Sequence, residues 1–245
     1  MDEILYLADL IKTHHRIFVL SGAGISTESG IPDFRGPGGL YSKYPPYMFE
    51  IDFLKQDPDQ FYSIYRDLLK TIVNAQPNTA HFFIAKLEKV GKIQLVATQN
   101  IDGLHQKAGS EKVVELHGNA TRFYCEKCST KYEFDDVYKT LLDGKVPRCK
   151  CGGIIRPDVI FFGEPLKEKD LREAFKNAEI ADLHLVLGSS LVVYPAASLP
   201  LLAIENRIPL VIINMGETQL DPFAHIKIEA PLGKVCSKLI ELLAL

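Results

Sequence analysis

A strong charge of either sign is the first thing this 245-residue chain lacks: 28 Lys and Arg stand against 31 Asp and Glu, a formal net charge of -3. No run of like charges interrupts the mixture, so direct nucleic-acid binding is not expected. No apolar run approaches the ~20 residues that a membrane-spanning helix needs. The opening stretch MDEILYLADLIKTHH also lacks the basic start and unbroken apolar core of a signal peptide. Together these absences lead us to expect a cytoplasmic protein without membrane contact. Internal repeats and low-complexity segments are missing too. Cysteine is scarce, with five residues in all, and in a reducing compartment clustered thiols serve more often as metal ligands than as disulfides.

What is present is an alternation of strands and helices. Ile4, Leu5, Leu7, Ala8, Leu10 and Ile11 recur at helical spacing over 2–13, and RIFVL then switches to a β-branched and aromatic run. DPDQFYSIYRDLLKTIV predicts a helix, with Asp57 as N-cap and Pro58 at the first helical position. TAHFFIAKLEKV predicts another, from about Asn78 to Gly91. IQLVAT (93–98) and VVELHG (113–118) read as strands around the polar turn QNIDGLHQKAG. From Phe123 to about Arg156 the chain reads as irregular and cysteine-bearing. Alternation then resumes with DVIFF, a helix at 168–179, LHLVLG, a helix from Pro195, PLVIIN, HIKIE and a helix from Pro231. Such alternation predicts an α/β fold with a doubly wound parallel sheet, Rossmann-like, covered on both faces.

In such sheets ligands bind beyond the carboxyl ends of the strands, where a glycine-rich turn lets backbone N–H groups approach a pyrophosphate. GAG after IFVLS fits that need. The dehydrogenase fingerprint would place a third glycine where Thr27 stands, and an acidic residue after a second strand that does not appear, so a nucleotide site is indicated without hydride transfer. Arg35 is a candidate phosphate partner. TQNID, GSS and the Asn after PLVII put further small or polar residues on the same rim.

The segments GAGIS, GIPDFR, TQNID, LHG, FFGE and GSSLVVYPA follow one another from residue 22 to 197. In that order they resemble the sirtuin family of NAD-dependent protein lysine deacylases, and the resemblance spans essentially the whole chain. It implies a large NAD-binding domain (1–36, 75–122 and 157–245) and a small domain (37–74 and 123–156) made of a helical and a zinc-binding module. It implies that Gly22 and Gly24 receive the pyrophosphate, that Ala23 is a cofactor contact, and that Asp33, Phe34 and Arg35 belong to a mobile cofactor loop in which Phe34 is an apolar shield. Thr27, Ser189, Ser190, Asn214 and Met215 map to cofactor contacts, and Gly188 to a close backbone approach. Gln99 would bond the ribose, Asn100 and Asp102 would position ribose, water and the nicotinamide carboxamide, and Ile101 would line the same pocket. By the same resemblance, the acyl oxygen of a modified lysine attacks C1′ of the nicotinamide ribose, nicotinamide leaves and an alkylamidate forms. His117 then acts as general base through the ribose hydroxyls, a task that suits an imidazole. Free lysine and 2′-O-acyl-ADP-ribose result. The acyl-lysine peptide would lie as an added strand between VIFFGE, with Val159, Ile160, Phe162, Gly163 and Glu164, and LVVYP, with Val193. The histidines at 14, 15, 81, 105, 184 and 225 have no motif context and read as structural. ADP-ribosyl transfer to another nucleophile and a non-catalytic NAD sensor remain the competing classes.

Cys125 and Cys128, then Cys149 and Cys151, read as the four ligands of a closed structural zinc site. The second pair departs from the commoner family spacing, with one intervening residue instead of two, and Gly152 and Gly153 supply freedom for the tighter turn. A metal-free remnant is the alternative. Cys236 reads as core. Sirtuins that prefer acidic acyl groups resemble one another in a Tyr-x-x-Arg pair. Here Tyr62 is followed at that spacing by Tyr65, with Arg66 one residue further round the helix, which implies a preference for acetyl.

Overall fold

The computed structural model describes residues 3–245. Every side chain of strand β1 (Ile17–Ser21) is buried, which only a sheet covered on both faces allows. It stands inside a six-stranded parallel sheet with β2 (Ile93–Thr98), β3 (Val113–Glu115), β7 (Leu183–Leu187), β8 (Leu210–Ile213) and β9 (Ile226–Ile228). The order is β3-β2-β1-β7-β8-β9. Connections run outward in opposite directions from β1 and β7, so a crevice opens beyond their carboxyl ends, the place where doubly wound sheets bind ligands.

Alternate strand residues feed two cores. Ile17, Val19, Leu185 and Val211 pack with helices α1 (Glu3–Thr13), α4 (Thr79–Lys89) and α9 (Leu232–Leu243); Phe18, Leu20, Val186 and Ile212 pack with α7 (Glu168–Ile180) and α8 (Leu201–Glu205). The amphipathic spacing of 2–13 is thus realised, residue 2 lying outside the described residues. A third core joins α2 (Ile51–Gln56), α3 (Pro58–Asn74), α6 (Phe134–Leu142) and an antiparallel sheet of β5 (Lys131–Tyr132), β4 (Gly118–Cys125) and β6 (Ile155–Val159). At the start of α3 the Asp57 carboxylate accepts from the Gln60 N–H at 2.9 Å, with Pro58 next to it, as the sequence predicts.

Four expectations need correction. Residues 123–156 are not irregular: Thr121 and Arg122 interrupt the apolar alternation of β4, and α6 shows only Val137 and Leu141 to the core. DVIFF is not a parallel strand. Strand β6 ends at Val159 and pairs antiparallel with β4, because the apolar residues that follow line a cleft instead of a sheet. The helix expected from Pro195 is a 3-10 turn (Ala196–Ser198) and the short α8. Pro200 separates the two, and its ring and missing N–H prevent one continuous helix. Likewise VVELHG is a strand only to Glu115. Gly118, at φ +79, turns the chain into β4, and a Cβ there would sit 2.0 Å from the Asp158 carbonyl oxygen.

Candidate active site

The crevice is built on backbone-to-backbone packing. The Gly24 N–H donates to the Gly188 carbonyl at 2.9 Å and the Gly22 N–H to that of Leu187 at 3.0 Å. A Cβ on Gly24 would lie 2.8 Å from the Gly188 Cα, and one on Gly188 2.4 Å from the Ile25 nitrogen. These glycines therefore need one another before they serve any ligand. Instead of a long helix, a seven-residue 3-10 helix (Ala23–Ser29) follows, and it turns Ser26 inward. A cavity of about 610 Å³ opens here and continues into the cleft beside α3.

A buried polar chain closes its floor. The Ser26 hydroxyl donates to Asp102 Oδ2 at 2.7 Å and accepts from the Asn100 amide at 3.0 Å. His81 Nδ1 accepts from the Asn78 N–H, which leaves Nε2–H to point at the Ser26 oxygen at 3.5 Å. The Leu104 N–H holds Asp102 Oδ1 at 2.9 Å. Burial raises the Asp102 pKa against the pull of these bonds. A second branch runs from His105 Nε2 to the Ser21 hydroxyl at 2.8 Å, on to Thr98 Oγ1 at 2.8 Å, which also accepts the Asn100 N–H at 3.1 Å. Burial depresses the pKa of His81 to about 4 and of His105 to about 3, so both rings are neutral at pH 7. The two branches fix Asn100 and Asp102 from behind.

His117 stands at the wall between β3 and β4. A carbonyl can only accept, so its bond with Gln99 O at 2.8 Å puts the proton on Nδ1 and leaves a lone pair on Nε2. Burial lowers its pKa, with the Gln99 bond acting the other way. The ring is thus a neutral base lining the cavity. Gln99 presents Oε1 to the Ser189 hydroxyl at 3.4 Å, while its Nε2 is buried without a partner among the described residues. Such an orphan donor costs about 1–3 kcal/mol unless a ligand satisfies it. NAD has acceptors to offer at such a site, and the residues present fit it.

The remaining expected cofactor residues divide. Ala23, Gly24, Asp33, Phe34, Arg35, Ile101, Gly188, Ser189, Ser190, Asn214 and Met215 line the cavity together with Gln99, Asn100, Asp102 and His117. Gly22 does not, and Thr27 faces an adjoining hollow, its hydroxyl donating to the Gly24 carbonyl at 3.0 Å. Asp33 caps its own loop by accepting the Gly36 N–H at 2.7 Å. Phe34 packs edge-on to Phe49, and the Arg35 guanidinium lies 5.3 Å from the Tyr41 ring centre.

On the opposite wall, α3 presents Phe61, Ile64, Tyr65 and Leu68. The Tyr65 hydroxyl donates to Ala120 O at 2.6 Å and that of Tyr62 to Ile155 O, so both phenols are spent on the fold. Arg66 points elsewhere, towards Asp67 at 3.7 Å and Gly144. Val159, Ile160, Phe162, Gly163, Glu164 and Val193 also face the cavity.

The four clustered thiols lie within 4.8 Å of one another. Cys125 and Cys151 are 3.5 Å apart and Cys128 and Cys149 3.6 Å. A disulfide needs about 2.05 Å, whereas a tetrahedron of Zn–S bonds of about 2.3 Å has edges near 3.8 Å. The set is therefore placed to hold a structural zinc ion. The short Cys-x-Cys turn closes through Cys149 N–H to Gly153 O at 2.8 Å, with Gly152 at φ +82, as the spacing requires. A Cβ on Gly153 would lie 2.7 Å from Cys125 Sγ. Cys236 is buried in α9.

The sequence motifs missed Ser26, and treated His81 and His105 as unrelated to the site. The capping position of Asn78 three residues before His81 was the available signal for His81. The rest are structural: His184 Nε2, for instance, donates to Ala178 O at 2.8 Å.

Comparison with known proteins agrees with this geometry. A sequence model described as the Sir2 family matches residues 22–195. The chain is 48% identical over 242 residues to an NAD-dependent protein deacetylase of Thermotoga maritima, covering 98% of this chain and 97% of that one. It is 42% identical over 243 residues to NAD-dependent protein deacylase 2 of Archaeoglobus fulgidus, with 98% and 96% covered. A solved structure of a Sir2 protein with a p53 peptide and NAD+ matches with a TM-score of 0.91 at 46% identity over 96% of each chain. Another, bound to a propionylated peptide, matches at 0.90 and 45% over 98% of each.

Proposed function

The chain belongs to the Sir2 family, and we propose on that footing that it removes acyl groups, chiefly acetyl, from protein lysines with NAD as co-substrate. Nicotinamide, 2′-O-acyl-ADP-ribose and free lysine are the products. The observation that carries the assignment is the neutral His117, its Nε2 lone pair open to the cavity, beside Asn100 and Asp102 held rigid by Ser26.

NAD, when bound, supplies the electrophilic ribose carbon and the hydroxyls that take up the acyl group. His117 Nε2 accepts the proton released there, and its Nδ1–H bond to Gln99 O stabilises the imidazolium. Asn100 offers its carbonyl oxygen to the cavity, since its amide nitrogen is committed to Ser26. Gln99 Nε2, buried without a partner among the described residues, would donate to the ribose. Gly24, Ser189 and Asn214 line the path for the rest of the dinucleotide, and Arg35 and Phe34 cover it from the loop. The apolar wall of Phe61, Ile64 and Phe161 excludes water from the acyl group. Cys125, Cys128, Cys149 and Cys151 would hold zinc outside the cavity, as a closed set with no open position and so with a structural role.

The test is an incubation with NAD and an acetylated peptide, each omitted in turn, with the ribose product identified by mass. Deacetylated peptide with acyl-ADP-ribose is expected. Nicotinamide release with the acetyl group left in place would instead favour ADP-ribosyl transfer.

A further inference from the structure

Glu164 lines the cleft, yet both oxygens of its carboxylate are engaged by the protein itself. Arg156 Nη1 donates to Glu164 Oε1 and Nη2 to Oε2, both at 2.7 Å, in a fork-to-fork pair. Nη2 also donates to the Val159 carbonyl at 2.9 Å, and Glu164 Oε2 accepts the Phe161 N–H at 3.0 Å. The guanidinium is covered by the Phe161 ring, 4.7 Å from its centre, and by Tyr124 at 5.5 Å. Arg156 is 3% exposed. A charge buried to that depth is tolerable only when paired and hydrogen-bonded, and here it is both.

The pair closes a ring from the end of β6 to Glu164. Within it, the Ile160 N–H donates to the backbone carbonyl of His117 at 2.9 Å, and Phe162 exchanges bonds with Phe49 and Ile51 at 3.2 and 3.3 Å. Gly163, at φ +90, makes the turn back. The ring therefore sets the distance between the cleft edge and the residue whose imidazole does the chemistry. It also starts in the cysteine-bearing sheet, where Tyr124 pairs with Arg156 and Cys125 with Ile155.

We propose that Arg156 and Glu164 form a clamp that holds residues 159–163 in the shape an acyl-lysine peptide adds to, Glu164 acting through the loop and not on the peptide. Both are thus positioning residues. The inference rests on the deacylase reading. Peptides that dock as an added strand gain affinity from preformed backbone groups, so a loosened edge shows first as weaker peptide binding.

The test is steady-state kinetics on Arg156→Lys, Glu164→Gln and the double variant, with two acetyl-lysine peptides, one with basic and one with neutral flanks. Arg156→Lys keeps the charge and loses the fork. The expected result is a rise of about tenfold or more in peptide KM for both single variants, equal for the two peptides, with the NAD KM within about twofold and a double variant no worse than the worse single. Peptide binding measured by calorimetry with the turnover-impaired His117→Ala background gives the same comparison without catalysis. Unchanged peptide KM in folded Arg156→Lys and Glu164→Gln, or an effect of Glu164→Gln confined to the basic peptide, overturns the clamp. Failure of the unsubstituted protein to bind or deacetylate either peptide overturns the deacylase reading instead.

Discussion

The imidazole of His117 is tied to Gln99 through a single hydrogen bond, Nδ1–H to the backbone carbonyl at 2.8 Å. That bond fixes the tautomer, and the same residue that fixes it lines the cavity and carries a buried Nε2 without a partner among the described residues. Base and ribose donor are thus positioned by one stretch of chain after β2.

His117 has a pKa lowered by burial, below its usual value of 6.5. The free enzyme should therefore hold a plateau in kcat/KM above pH 6.5 and lose activity as the pH falls through the lowered value. His117→Ala should keep NAD binding, since the phosphates lie elsewhere, and lose a factor of about 10²–10⁴ in turnover. Near-normal turnover in that variant, or an acid limb above pH 6.5 in the parent, would remove His117 from the role of base.

Three other rings stay neutral in the folded protein: His81 and His184 with pKa about 4, and His105 about 3, burial being the first cause in each. Their unfolded value is about 6.5. The unfolded chain thus binds protons first as the pH drops. The stability these residues contribute is complete above pH 6.5 and erodes towards pH 4, by on the order of 3 kcal/mol per ring if fully expressed. Denaturant midpoints at pH 7, 5.5 and 4.5 should fall in that order. In His184→Gln the slope should decrease by about one proton over this window, and an unaltered slope would show that His184 does not titrate on unfolding.

The motifs made most of the site legible because the chemistry needs those residue types near strand ends, and strand ends are visible as apolar runs closed by glycine or asparagine. Hence the resemblance of TQNID and LHG to the sirtuin motifs could name Gln99, Asn100, Asp102 and His117, while the four thiols were read from their own spacing. What stayed hidden depends on distance in space. Ser26 looks like any turn serine, and only the inward twist of the 3-10 helix brings it to Asp102. His81 sits on α4 and His105 on a short helix, Leu104–Lys107, inside the stretch read as a polar turn, and nothing in their spacing announces rings 5.1 Å apart. Strand β4 was obscured because its outward residues are Thr121 and Arg122; Thr121 bonds back to Asn119 of the same strand, and the partners of Arg122, Glu115 and Asp158, are found only once β3 and β6 lie alongside.

Glycine substitutions separate packing from backbone conformation. Gly188 has φ +63 and a Cβ there would meet the Ile25 nitrogen at 2.4 Å, while Gly38 has φ +76 with open space around it. Gly38→Ala should cost only the left-handed strain of about 1–2 kcal/mol. Gly188→Ala adds a backbone clash that must part β1 from β7, and should cost about 2–4 kcal/mol together with NAD affinity. Equal denaturant midpoints for the two variants would mean that the turns are not interlocked as described.

For the thiols, about one zinc per chain is expected in purified protein, since all four sulfurs converge. Cys149→Ala and Cys151→Ala should each lower zinc content and melting temperature, because structural zinc contributes directly to folding. Full zinc retention in both would show that the Cys-x-Cys pair is not half of the site.

The acyl group is selected by what α3 lacks. A succinyl or malonyl chain would bring a carboxylate against Phe61, Ile64, Tyr65 and Leu68, none of them cationic. Both candidate phenols are committed, Tyr62 to Ile155 and Tyr65 to Ala120, and Arg66 sits on the far side of the helix by Asp67. Among the described residues that line the cavity, Arg35 is the one Lys or Arg, and it lies on the cofactor loop against Tyr41. A carboxylate buried there without a partner costs several kcal/mol, which is more than a hundredfold in affinity. Matched acetyl and succinyl peptides should therefore differ in kcat/KM by at least about a hundredfold in favour of acetyl. Tyr65→Ala should not rescue succinyl, since it opens space without supplying charge. Tyr65→Arg supplies the guanidinium at the matching position of the helix, and in a folded variant it should narrow the gap. Comparable rates for the two acyl groups in the parent protein would show that Arg35 swings into the acyl channel, and would move the basis of selectivity from α3 to the loop.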